Sequence, residues 1–182
     1  KLAENGADIV INDISEQSVI EPVAEEIRAM GRECLAVSSN ISVADDVDRM
    51  IKATLEKFGK IDILVNNAGL NIRSPSADFS WEDWDTVLQT NLKGNFFCAQ
   101  ACGREMIKRN YGRIRNMGSC TCVFGMEGIT PYTASRGGGL MMTRSLAAEW
   151  GKYGITVNVL APGWFKTAQN AALYENKQWV DN

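Results

Sequence analysis

Short apolar runs at residues 8–11, 33–37, 61–65 and 155–160, each bounded by Gly or polar side chains, set the frame of this chain. Runs of that length read as strands buried on both faces. Between the second and third runs, Val47, Met50, Ile51, Leu55 and Phe58 fall on one helical stripe, opened by Ser42 with Asp45 three positions on and closed by Gly59. That spacing predicts a capped amphipathic helix. A longer helix is predicted from Ser80 as N-cap, with Asp83 in its first turn and Trp84, Val87, Leu88, Leu92, Phe96, Ala99 and Met106 facing inward; another is predicted over residues 132–153. Strands alternating with such helices, without a Pro-rich linker or internal repeat, predict a single α/β domain over residues 1–182, with a doubly wound parallel sheet and helices on both faces.

Two places strain the pattern. Pro22 falls inside the helix expected over residues 15–30, so that helix either starts near Glu21 with Pro22 in its first turn or is kinked there. A further strand is expected over residues 113–117, yet Arg115 stands where a central strand should be apolar, and an unpaired buried charge is costly.

Composition removes whole classes of chemistry. The 182 residues include no histidine, which excludes Ser-His-Asp or Cys-His catalysis and any His-ligated zinc or haem site from this chain. A net charge of -3 with scattered Lys and Arg gives no footprint for nucleic acid or an anionic membrane surface. The longest uncharged stretches, such as residues 155–165, fall short of the ~18 apolar residues needed to span a bilayer. Cys34, Cys98, Cys102, Cys120 and Cys122 lack the paired spacing of a structural metal site and are expected as free thiols in a reducing cytoplasm. The segment from Lys1 to Gly6 reads as the last turn of a helix closed by Gly6, so further sequence is expected upstream.

In open parallel sheets, ligands bind beyond the carboxyl ends of the strands. Here those ends carry Asn12-Asp13, Asn66-Asn67-Ala68-Gly69, Gly118-Ser119 and Ala161-Pro162-Gly163, all small or polar. Asp13 is placed to accept hydrogen bonds from an adenosine ribose and to repel a 2'-phosphate, or else it is a turn aspartate. The Asn66 to Gly69 segment is either a plain turn or a floor on which a nucleotide meets backbone. Tyr132 and Arg136, four apart on a helix, project from one face, where a cation favours the phenolate of a phenol that ordinarily titrates near ~10. Ser119 is placed to polarise a carbonyl. Singly, the last two are a surface pair and a loop serine.

The conjunction is more informative. Asn66-Asn67-Ala68-Gly69, Asn91-Leu92-Lys93-Gly94, Ser119, Tyr132-Thr133-Ala134-Ser135-Arg136, and Pro162-Gly163 with Thr167, in that order and spacing, resemble the short-chain dehydrogenase/reductase family over nearly the whole chain. The resemblance implies a Rossmann-like fold and an NAD(P)-dependent oxidoreductase, with NAD first, NADP as the alternative, and a small-molecule substrate. It implies that Ser119 orients the substrate carbonyl, Tyr132 exchanges the proton, Arg136 stands at the family's lysine position and Asn91 holds a relay water. Asp13, Asn40 and Ile41 would meet the adenosine half, Asn67, Ala68 and Gly69 the cofactor backbone, and Pro162, Gly163 and Thr167 the nicotinamide amide. It also implies a cytoplasmic homotetramer built on the two long helices. Ile11-Asn12-Asp13-Ile14, Ile129-Thr130-Pro131-Tyr132 and Pro162-Gly163-Trp164-Phe165-Lys166-Thr167 resemble the gluconate 5-dehydrogenases, where Arg73 would grip a substrate carboxylate.

Departures accompany the likeness. Arg136 keeps the charge of the expected lysine, but a planar guanidinium does not readily release a proton. The family's Gly-rich turn and first strand are expected upstream of Lys1, and its last strand beyond Asn182. Gly137, Gly138 and Gly139 cost about 1 kcal/mol each against alanine in a helix, a cost expected where a cofactor comes close. Arg136 and Arg115 also fit a different class, a nucleotide-binding or assembly subunit that has lost turnover. Trp81 and Trp84 are expected in core and cap packing, Met141 and Met142 in the core or at a subunit contact, and Cys120 and Cys122 along the cleft.

Overall fold

In the computed structural model, which describes residues 1–165, the apolar runs are parallel strands. They are β1 (Ile9–Asp13), β2 (Cys34–Ser38), β3 (Ile63–Asn66), β4 (Gly112–Met117) and β5 (Ile155–Leu160), and the helices between them are α1 (Gln17–Ala29), α2 (Ala44–Phe58), α3 (Trp81–Leu88), α4 (Asn95–Arg109) and α5 (Thr130–Trp150). Strand pairing runs β1-β2 in one sheet and β3-β4-β5 in another. This is the expected Rossmann-like α/β layout. At its start, Gly6 closes a short turn of helix over Ala3–Asn5 with φ 91°, as the chain's opening residues predict.

Alternation along each strand assigns the faces. Ile9, Ile11, Cys34 and Ala36 pack with Ile20 and Ala24 of α1, while Val10, Leu35 and Val37 turn to the other side, toward Val47 and Met50 of α2 and Cys98 of α4. A larger core lies beneath α4 and α5, where Ile61, Ala99, Met106, Ile114, Leu146, Trp150, Ile155 and Val157 pack together. Leu64 and Ile51 touch both the α2 core and this one, so they join the two sheets into one body. Side chains sealed as completely as Met106 and Ile114 each contribute roughly 1.5–3 kcal/mol relative to exposure.

Several local expectations are corrected. The helix around Pro22 begins at Gln17 and runs through the proline, so a start near Glu21 is excluded; the ring leaves the Ser18 carbonyl without its usual helical donor. Ser42 and Asp45 do not cap α2, which follows Val43 with no side-chain cap. Both Ser42 donors instead go to Asn40 Oδ1, at 3.0 Å from N and 2.7 Å from Oγ, because the turn after β2 recruits the serine first. Gly59 does close α2, donating to the Leu55 carbonyl at 2.8 Å. Ser80 caps α3 by accepting the Asp83 N–H at 3.0 Å. Arg115 sits in a paired central strand, but on the face opposite Ile114, where it stays half-buried rather than sealed. Trp81 is 86% exposed and so not a packing residue, while Trp84 stands at the margin of the surface. Met142 packs against the core and Met141 is exposed.

The glycine triplet does not break α5. A Cβ on Gly138 would lie 3.0 Å from a Leu92 methyl, whereas Gly137 and Gly139 face open space. The one tight place in the triplet is thus a helix-to-helix contact.

Thiol burial gives a direct test of this packing. Desolvation pushes the Cys98 thiol up to about 11 and the Cys102 thiol up to about 12. Both therefore stay protonated through neutral pH and gain thiolate only as pH climbs toward those values. In native protein at pH ~8, iodoacetamide is expected to label the half-buried Cys120 and Cys122 well before Cys98 and Cys102. Native labelling of Cys98 as fast as in urea contradicts the packing.

Candidate active site

Each strand ends in a loop at the same end of the parallel sheets, and the residues singled out by sequence lie on those loops or on the helices behind them. After β4, Ser119 opens a single helical turn over Cys120–Cys122 and accepts the Thr121 N–H on its Oγ at 3.2 Å. The same oxygen also lies 3.8 Å from Cys120 Sγ, a weak contact in which either group can donate, so the hydroxyl has no strong acceptor of its own. The turn's backbone is stitched to the end of β5, with Gly118 N–H donating to Leu160 at 2.6 Å and Cys120 N–H to Pro162 at 3.0 Å. Ser119 and Pro162 are therefore held side by side.

Tyr132 and Arg136 emerge in the first turns of α5, on one face as the spacing predicts. The guanidinium carbon lies 4.9 Å from the centre of the Tyr132 ring, stacked on its face. Arg136 is buried, and Nη1 donates to the Met117 carbonyl at 2.7 Å, two residues before Ser119. Its Nε is sealed from solvent with no hydrogen-bond partner, and no carboxylate pairs with it among the described residues. A buried, incompletely bonded guanidinium is unfavourable in itself. Nη2 also fills the space above Gly69, where a Cβ would stand 2.6 Å away. A larger residue there would push the guanidinium from this seat.

Behind this cluster the helix between α3 and α4 widens into a π-type segment, Gln89–Gly94, the kind of irregularity that re-aims a side chain. It turns Asn91 inward. The Asn91 amide accepts from Leu70 N at 2.8 Å and donates to Leu70 O at 2.8 Å, clamping the loop after Gly69. It also donates to Ser135 Oγ at 3.2 Å, and Ser135 donates to the Tyr132 carbonyl at 2.6 Å. One polar chain thus connects the β3 loop to the turn of α5 that carries the phenol.

The remaining candidates lie further out. Asp13 is exposed at the end of β1, and hydrogen bonds from the Ser15 hydroxyl and then its backbone N–H hold the carboxyl below its ordinary value. Asn40 follows β2 and is committed to Ser42, while its own N–H donates to Asp46 at 2.8 Å; that bond, with Arg49 beside it, keeps the Asp46 carboxyl low. The Ile41 side chain belongs to the α2 core, leaving its backbone as the part that can meet a ligand. Asn67 and Ala68 are exposed, as is Gly163, with Pro162 half-buried. Arg73 is exposed on a loop pinned to the start of α5 by Ser74 N–H on Gly128 O at 3.1 Å and by a 2.6 Å Ser76–Thr130 hydroxyl pair. Thr167 lies outside the described residues.

Sequence reading passed over the buried amides. Asn66 donates to Asn95 O and Asn116 Oδ1, each at 2.9 Å, and Asn116 donates to Thr143 Oγ1 at 2.9 Å. These bonds cross from β3 to α4, β4 and α5 directly beneath the site. The available signal was parity, because Asn116 shares the inward register of Ile114, and a polar residue at such a position needs a partner.

Comparison with known proteins agrees with this layout. Residues 1–178 match the family model described as short chain dehydrogenase. The chain is 42% identical over 178 residues to the (2S)-[(R)-hydroxy(phenyl)methyl]succinyl-CoA dehydrogenase subunit BbsD of Thauera aromatica, covering 98% of this chain and 71% of that one. It is 39% identical over 166 residues to a 3-oxoacyl-[acyl-carrier-protein] reductase of Synechocystis sp., covering 91% and 67%. A gluconate 5-dehydrogenase from Burkholderia cenocepacia, solved with NADP and tartrate, superposes with a TM-score of 0.93 at 38% identity, over 99% of this chain and 70% of that one. A sequence match that runs from the first residue across every described strand, joined to the same fold, makes this chain a member of the short chain dehydrogenase family.

Proposed function

We propose that the protein is an NAD(P)-dependent oxidoreductase that interconverts an alcohol and a ketone on a small molecule bearing a carboxylate. The observation that carries the reading is the Arg136 guanidinium, which lies on the Tyr132 ring and bonds the end of β4 beside Ser119. It ties two chain segments together, the first turns of α5 with their phenol and the end of β4 two residues before the serine.

The residues present fit a dinucleotide. Asp13 offers an exposed, ionised carboxylate for a ribose diol, Asn67, Ala68 and Gly163 offer exposed backbone, and Arg136 offers a cation beside the phenol. When bound, the nicotinamide supplies or accepts the hydride. In the reducing direction Ser119 donates its hydroxyl hydrogen to the ketone oxygen. Tyr132 then delivers its phenolic proton to the forming alkoxide, and Arg136 faces the phenolate that remains. In oxidation, Ser119 and Tyr132 reverse these roles.

Arg73 supports a carboxylate on the substrate, since it is exposed near the start of α5 and has no ion-pair partner among the described residues. A relative named for gluconate and solved with tartrate, and another named for a succinyl thioester, make sugar acids such as gluconate a first choice to assay. A second reading, an impaired nucleotide-binding or assembly subunit, is favoured by the same Arg136, whose fork is engaged at Met117 rather than left open. We further infer a homo-oligomer, a tetramer by family habit, in a reducing cytoplasm to which the free thiols are suited. No helix among the described residues is long and apolar enough to cross a membrane.

The deciding experiment follows NADH absorbance in full-length protein over sugar acids, polyols, hydroxysteroids and 3-oxoacyl thioesters. Turnover on an acid that declines in Arg73→Ala supports the reading. NADH binding by fluorescence without turnover on any of them favours the second.

Cofactor choice gives a separate expectation. Because the Asp13 carboxyl is held below its ordinary value, it stays ionised down into the acid range and repels a 2'-phosphate throughout neutral pH. Asp13→Asn is expected to move the NADH-over-NADPH affinity ratio about fivefold toward NADPH, a shift on the order of that from removing one partly screened charge. An unchanged ratio removes Asp13 from the cofactor site.

A further inference from the structure

The loop that carries Ser119 is fastened to β5 by backbone alone, so a different link must set its distance from α5. Besides the deeper Asn116–Thr143 bond, two side chains make that crossing next to the serine. Arg136 reaches Met117, at the end of the strand. Cys122 reaches further into the loop, where its Sγ accepts the Ser119 N–H at 3.4 Å and its S–H donates to the Arg136 carbonyl at 3.2 Å. One atom thus touches the backbone of the serine and the backbone of the arginine. The seat is shaped for it, since a Cβ on Gly118 would stand 3.1 Å from that sulfur. A thiol is both a weak acceptor and a weak donor, so either hydrogen bond alone fixes little, but the pair defines a separation.

Resting on the dehydrogenase reading above, we propose that Cys122 is a positioning residue, whose thiol holds Ser119 at its working distance from the Tyr132–Arg136 turn. Its hydrogen bonds go to the backbone of Ser119 and Arg136, not to the phenol. Its effect passes through Ser119, and misplacing a catalytic group by about 1 Å costs up to ~100-fold in rate.

Two substitutions separate positioning from packing. Cys122→Val stays apolar, is somewhat larger and loses both hydrogen bonds, while Cys122→Ser keeps a donor and an acceptor on a shorter arm. Full-length Cys122→Val is expected to show faster hydrogen exchange at the Ser119 amide and a kcat about tenfold lower, with NADH affinity unchanged. Cys122→Ser is expected to restore slow exchange and most of kcat. Should the valine variant not fold, Cys122→Ala takes its place in the same two measurements. A residue that only packs gives the opposite order, valine matching the parent and serine impaired, and that order overturns the proposal. Wild-type kcat alongside fast Ser119 exchange also overturns it while leaving the dehydrogenase reading in place. Absence of hydride transfer in the parent protein is the separate outcome that overturns that reading itself.

Discussion

Tyr132→Phe is expected to lower kcat by about 10²–10⁴-fold, the range that a lost general acid or base commands, with NADH affinity and thermal stability near those of the parent. The substitution removes one oxygen and leaves the ring. Arg136 stacks on the face of that ring, so its seat and its bond to Met117 persist in the variant. The Tyr132 backbone carbonyl still accepts Ser135 Oγ, so the polar chain through Asn91 to Leu70 is preserved as well. What disappears is the proton that must reach the alkoxide as hydride arrives. The measurement is single-turnover reduction in full-length protein with cofactor saturating. A variant that keeps a tenth or more of parental kcat takes the proton from elsewhere and displaces Tyr132 from the centre of the mechanism.

Arg136→Lys is expected to raise kcat by about ten- to a hundredfold, equivalent to roughly 1.4–2.7 kcal/mol of barrier. The arginine holds charge beside the phenol, but its geometry is poorly matched to moving a proton. Its fork is drawn to the Met117 carbonyl, Nη2 fills the space over Gly69, and Nε is sealed without a partner. A guanidinium also keeps its proton under all ordinary conditions, whereas an ammonium is compact, rotates its three donors and shifts its pKa readily. A lysine at this position ends short of Met117, frees the space above Gly69 and can serve both the phenolate and a ribose hydroxyl. The comparison is kcat and NADH affinity in parent and variant side by side. No gain in cofactor-saturated variant means that the arginine is already fit for its task, or that turnover was never its task.

The secondary structure was legible to within a few residues because it depends on local order. Periodicity of the apolar residues fixed the strands and the long helices, and Ser80 and Gly59 marked their ends through bonds to near neighbours in sequence. Prediction failed where a neighbouring turn, or the way an element packs, outweighed the local signal. Ser42 looked like a cap and was taken by the Asn40 turn, Trp81 looked like packing and faces solvent, and Pro22 did not hold the helix start back to Glu21, since the inward face is anchored by Ile20 and Ala24.

For the site, the sequence by itself determined which groups are available: a serine, a phenol and a cation at set spacings, no imidazole, and small residues after each strand. Only the tertiary structure decided how they are held. That Arg136 lies across Gly69, that Asn91 clamps Leu70, and that Cys122 reaches the Arg136 carbonyl on α5 are contacts between residues 14 to 67 positions apart, and nothing in the local pattern encodes them. The physical reason is that such contacts are set by the space left when helices and strands pack. Periodicity reports only which face of each element turns inward.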